Sequence, residues 1–149
     1  MKIKFTKKAV KAINKWLNKC GFDVECELVK GGDLEFDPND NLILIPKTYD
    51  DEPDAMFMKF LRHLGLVSDY DAVTLSILHE LGHAETAHLF TRKEWEGCAL
   101  AKFTATNHFE YWEVKDELAA NRWAIMFADS CTNKVEKLET IIEENVKFG

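Results

Sequence analysis

The chain has no apolar run approaching the roughly 18 residues that a membrane-spanning helix needs, which argues against a membrane protein. Its first residues, "MKIKFTKKAVKAINKW", interrupt every short apolar stretch with Lys, so the apolar core of a signal peptide is missing too. Only three prolines and seven glycines occur in 149 residues. No repeat, low-complexity tract or linker divides them, and one domain spanning 1–149 is expected. Four cysteines (Cys20, Cys26, Cys98, Cys131) lack C-x-x-C spacing. A chain this long can build a core without disulfides, so reduced cysteines in a cytoplasmic protein are the simpler expectation. Excess positive charge is also lacking. A net charge of -7 argues against direct, sequence-independent binding of nucleic acid, which needs a cationic surface.

What is present is a globular composition: 46% hydrophobic residues, with ten Phe and four Trp, excludes a disordered chain. The charge is unevenly spread. Lysines crowd the first 30 residues, while "YDDEPDA" and "EKLETIIEEN" are acidic. A basic N-terminal face is usually just solvated, though it suits an acidic partner.

Phe5, Ala9, Val10, Ile13, Trp16, Leu17 and Cys20 form a helical stripe, and Gly21 is a suitable stop. "FDVECELV" alternates as a half-buried strand does. "GGD" and "DPNDN" are turns around the short extended "LEF", and "LILIP" is a dense β run. These segments predict a small antiparallel sheet of two or three strands. From residue 53 the pattern is helical. "PDAMFMKFLRHLG" is one helix, and "SDYDAVTLSILHELGHAETAHLF" is apolar around most of its circumference, as a buried helix is. "TRKE" reads as a capping box opening the next helix. After a break near Asn107, "EYWEVKDELAANRWAIMFADSC" and the amphipathic "TNKVEKLETIIEENVKF" complete a mainly helical α+β domain.

Three of the five histidines lie in "TLSILHELGHAETAH". His79 and His83 are four apart, about 40° in rotation and about 6 Å along a helix axis, and can aim two imidazoles at one metal ion. Glu80 projects beside such an ion, where a general base for a zinc-bound water must stand. Zinc lowers the pKa of that water to roughly 7. H-E-x-x-H also arises by accident in ordinary sequences. Here, however, the pair sits among Leu75, Leu78, Leu81 and Ala84, and two buried histidines that close need a shared partner. Gly82 costs about 1 kcal/mol relative to Ala inside a helix, which suggests that another backbone or a substrate approaches there. His88 lies about 140° round from His83 and is not counted as a ligand.

A catalytic zinc takes a third protein ligand and keeps its fourth position open. Downstream candidates are Glu94, Glu96, Glu110, Glu113, Asp116, Glu117 and His108. Glu117 in "DELAANRWA" is the leading one. Asn121 follows one turn later and can hydrogen-bond a ligand histidine, and Ala119, Ala120 and Ala124 allow close helix packing. Glu113, one turn earlier on that face, and His108 are the alternatives. Tyr70 and Tyr111 are oxyanion donors or edge-of-core aromatics, and the four Trp are packing residues.

"HELGHAETAH" followed by "ELAANRWA" resembles the ImmA/IrrE family of zinc-dependent peptidases, which combine H-E-x-x-H with a downstream E-x-x-A-N helix. The order of helix, small sheet and helix before the motif fits as well. The resemblance implies a zincin-like peptidase fold, Zn2+ held by His79, His83 and Glu117, and Glu80 as the catalytic base. It also implies a phage or mobile-element source and a protein or peptide substrate, with helix-turn-helix repressors the class that family cuts. The chain leaves no room for a helix-turn-helix domain of its own beside the peptidase. The competing expectation is a non-catalytic regulatory protein that keeps the peptidase fold and a metal. "EGCAL" resembles the cysteine motif of peptide deformylases, but it follows the histidine motif instead of preceding it, so Cys98 is read as a small buried residue.

Overall fold

The computed structural model describes residues 2–50 and 72–148. The expected helix over 53–65, the first residues of the expected histidine helix and Tyr70 lie outside them. The first helix, α1 (Lys7–Cys20), opens where the Thr6 hydroxyl accepts the Ala9 N–H at 3.1 Å. It closes at Gly21, whose φ of 85° lets the chain turn back so that the Gly21 and Phe22 N–H groups satisfy the last carbonyls. Its stripe of Ala9, Val10, Ile13, Trp16 and Leu17 is buried.

Strands β2 (Glu25–Val29), β3 (Glu35–Asp37) and β4 (Leu42–Pro46) form one sheet in the order β2-β4-β3. Asn14 ties it to α1 by pairing with both backbone groups of Cys26, at 3.0 and 2.6 Å. β3 and β4 are an antiparallel hairpin, but β2 and β4 run parallel. The sheet is therefore mixed, where an all-antiparallel one was expected. The chain leaves β2, runs back as the outer strand β3, and the 38–41 turn returns it between the two as β4. A second sheet comes from the shortest segments. β1 (Lys2–Lys4) pairs antiparallel with β5 (Thr48–Asp50) on one side and with β6 (Lys147–Phe148) on the other. The class expected from sequence, mainly helical α+β with little sheet, is the one observed.

Helix α2 (Ala72–Thr86) continues into a 3-10 turn, Ala87–Leu89. Helix α3 (Arg92–Thr104) opens on the expected capping box, with Thr91 and Glu94 each accepting the other's backbone N–H. The expected long helix after Asn107 is two helices, α4 (His108–Trp112) and α5 (Lys115–Ser130), separated at Glu113–Val114. Helix α6 (Thr132–Asn145) buries Val135, Leu138 and Ile142 against the shared core. Among the described residues, no helix is long and apolar enough to cross a membrane, and all four cysteines are free.

The packing of α2 against α5 positions the site. α2 buries residues around nearly its whole circumference, so it must be covered on every side. Its approach to α5 centres on Gly82, where an added Cβ would run into the Ala120 carbonyl and lie 3.0 Å from Ala120 Cα. The close approach expected from Gly82 is thus to the α5 backbone. Gly82→Ala gains helix propensity but forces two buried helices apart. We expect a net loss of about 1–3 kcal/mol, read as a lower midpoint in urea unfolding. An unchanged midpoint would mean that the helices separate at no cost.

Candidate metal centre

His79 and His83 project from one face of α2 and are 9% and 7% exposed. Their ring centroids are 4.7 Å apart. From α5, Glu117 (4% exposed) meets both: its Oε2 lies 2.9 Å from His79 Nε2 and 2.7 Å from His83 Nε2. Behind His79, the Asn121 Oδ1 lies 2.6 Å from Nδ1. A carbonyl oxygen only accepts, so Nδ1 carries the hydrogen and Nε2 is the ring nitrogen aimed at the shared centre. All these groups are held by the α2–α5 contact around Gly82.

Glu80 stands to one side of this arrangement. Its Oε1 is 3.9 Å from His79 Nε2, and its Oε2 accepts the Phe36 N–H of β3 at 3.0 Å. His79, Glu80 and His83 together bring one donor atom each within 4.8 Å of one another, close enough to hold a metal ion. Two acidic side chains therefore face the histidine pair, one across from it and one beside it.

The electrostatics follow from burial and charge. Burial alone would raise the Glu117 carboxyl, but His79 and His83 override it and hold the group well below the usual carboxylate range. Burial would lower the His79 imidazole, yet the Glu117 carboxylate beside it pushes it up to about 9. Glu80 is raised, mainly by burial, with the two histidines opposing. The raised imidazole and the lowered carboxyl are the two sides of one buried ion pair.

Two imidazole nitrogens and a carboxylate oxygen suit zinc, and donors sharing one tetrahedral zinc stand roughly 3.3 Å apart. The observed 2.9 and 2.7 Å are hydrogen-bond lengths, so an opening of roughly half an ångström would admit the ion. The residues present fit the metal.

The other candidates fall elsewhere. Glu113 is exposed at the break between α4 and α5, Glu94 serves the α3 capping box, and Glu110 bonds Thr106. The side chain of His108 lies outside the described ones. His88 is exposed on the 3-10 turn. Cys98 is buried on α3, as expected. Trp16 bonds the Lys134 carbonyl and packs in a cluster with Phe22, tilted, and Phe127, edge-on, whereas the Trp95 ring centre lies 6.4 Å from that of His83.

Two neighbours support Glu117: Asp116, one of the downstream ligand candidates, which turns out to buttress the site, and Lys102, which carried no sequence signal. Asp116, only 1% exposed, accepts the Glu117 N–H at 2.9 Å through Oδ1 and Lys102 Nζ at 2.6 Å through Oδ2. Lys102, from α3, also reaches 3.6 Å from Glu117 Oε1. Tyr111 stands beside Glu117. Burial and that carboxylate raise its phenol, which keeps it protonated as a donor. Compared with known proteins, the chain matches no family model, no curated protein and no solved structure.

Proposed function

We propose that the chain is a zinc-dependent peptidase, with His79, His83 and Glu117 as the metal ligands and Glu80 as the general base. The observation that carries this reading is the division of labour between two carboxylates. Glu117 shares one oxygen between both histidines, whereas Glu80 stands beside them with no histidine nitrogen within 3.5 Å among the described contacts. A site built only to hold an ion has no use for the second carboxylate.

Zinc bound there would polarise a peptide carbonyl and make water acidic at neutral pH. Glu80 takes a proton from the attacking water and delivers it to the leaving amine. Burial, which raises Glu80, brings its affinity for a proton nearer to what that transfer requires. Asn121 fixes the His79 tautomer. Tyr111, 38% exposed at the rim, supplies a hydrogen bond to the oxyanion developing on the carbonyl. β3 is the edge of its sheet and lies against Glu80, so an extended peptide can align along it.

The pairing of "HELGH" with "ELAAN" makes an ImmA/IrrE-type peptidase the family we favour, with a helix-turn-helix repressor as the substrate class and the cytoplasm as the place of action. The test is purified protein with its metal content measured, offered a mixed peptide library read by mass spectrometry. We expect about one zinc per chain, cleavage that stops on chelation, and cleavage that returns with added zinc. Cleavage that persists with the metal removed would overturn the reading.

A further inference from the structure

We propose that Lys102 is a positioning residue for the metal site: through Asp116 and Glu117 it fixes the carboxylate that faces the two histidines. The inference rests on the zinc reading above. Glu117 has two oxygens and only one meets the imidazoles. Oε2 lies 2.7 and 2.9 Å from the two Nε2 atoms, and Oε1 is turned toward Lys102 Nζ at 3.6 Å. A carboxylate rotates freely unless both ends are held. Lys102 is the cation that holds the second end.

The ammonium is itself anchored. It donates to Asp116 Oδ2 at 2.6 Å, and Asp116, almost fully buried, spends its other oxygen on the Glu117 N–H. Val114, which caps α5, makes no side-chain cap bond, so Asp116 also orders the turn from which Glu117 projects. The Lys102 side chain is 18% exposed and its Nζ lies 5.7 Å from the Tyr111 ring centre. Four elements of the site's wall thus converge: α3 through Lys102, α4 through Tyr111, α5 through Asp116 and Glu117, and α2 through the histidines.

Charge and positioning predict opposite signs for the loss of this ammonium. Removing a positive charge beside a cation site strengthens cation binding if only the field matters. If Lys102 sets the orientation of Glu117, its removal weakens binding instead, by about 10–100-fold, as with other outer partners of metal ligands. The arrangement of both Glu117 oxygens argues for the second.

The experiment compares Lys102→Met, Lys102→Arg and wild type. Each is titrated with zinc alone, and each is melted in its metal-free form. We expect Lys102→Met to bind zinc at least 10-fold more weakly and Lys102→Arg to recover most of that loss, with similar metal-free melting temperatures. Zinc binding by Lys102→Met that is unchanged or tighter overturns the proposal. So does weaker zinc binding that merely follows a drop in metal-free melting temperature, because that marks a structural role. If Lys102→Met does not fold, Lys102→Gln, which keeps a neutral donor for Asp116, is judged by the same criteria. Wild-type protein that takes up no zinc would instead overturn the metal reading, and the positioning role with it.

Discussion

Glu80→Gln is expected to retain one zinc per chain while slowing peptide cleavage by about 10²–10⁴-fold, the usual contribution of a general base. The substitution keeps shape and volume. Its amide oxygen can still accept the Phe36 N–H that Glu80 Oε2 accepts now at 3.0 Å, so β3 stays docked on α2. Only the ability to take up a proton is lost. Because Glu80 stands 3.9 Å from His79 Nε2 while Glu117 stands at 2.9 Å, the metal should be insensitive to the change. Zinc content by atomic emission and cleavage by mass spectrometry on the same sample separate the two effects.

Each possible result tells against a different idea. Equal cleavage by the variant would remove Glu80 from the mechanism. Loss of zinc would make Glu80 a ligand and shift the site toward the His79–Glu80–His83 group, whose donor atoms are also close together. Stoichiometric zinc without cleavage even in the wild type would favour a regulatory protein that occludes its partner and does not cut it. One observation already leans that way: the Glu80 carboxylate is engaged by a strand N–H, which a substrate would have to accommodate.

The parts of this site that were legible in the sequence are those written at helical spacing. His79 with His83 on one element, and Glu117 with Asn121 on another, are each one turn apart, so a periodic pattern places each pair on a common face, and Glu80 is the neighbour of His79 that the same pattern sets beside it. Even the contact that joins the two helices left a trace, in a glycine at 82 where a helix gains nothing from one. The Thr91–Glu94 box was equally local. What was not legible depends on chain segments far apart in sequence. Lys102 has no pattern that distinguishes it from a solvated lysine, and only the packing of α3 on α5 brings it to Asp116. The Phe36 N–H belongs to the backbone and has no side-chain signature at all. The sheet of β1, β5 and β6 joins strands of two or three residues, too short for alternation to show. The parallel pairing of β2 with β4 follows from which side of β4 the hairpin returns on, and no residue type records that.

Glu117→Gln carries the second large effect. Zinc uptake should fall by more than the roughly 10–100-fold typical of losing an outer partner, because an anionic donor is replaced by a neutral amide at the point where both histidines converge. The metal-free protein should respond as well, in a pH-dependent way. His79 is pushed from its ordinary 6.5 up to about 9, with Glu117 as the principal raising influence against burial. A group raised on folding stabilises the native state fully below its unfolded value and loses that contribution as pH rises through the folded one. The deficit of Glu117→Gln relative to wild type, measured by urea unfolding in the presence of chelator, should therefore be greatest near pH 6 and shrink toward pH 9. A deficit that grows across that range would contradict the His79–Glu117 ion pair in the metal-free protein. Undiminished zinc uptake would contradict the ligand set, and together with zinc loss in Glu80→Gln it would exchange the roles of the two carboxylates. The pair of variants thus decides which carboxylate holds the metal and which moves the proton.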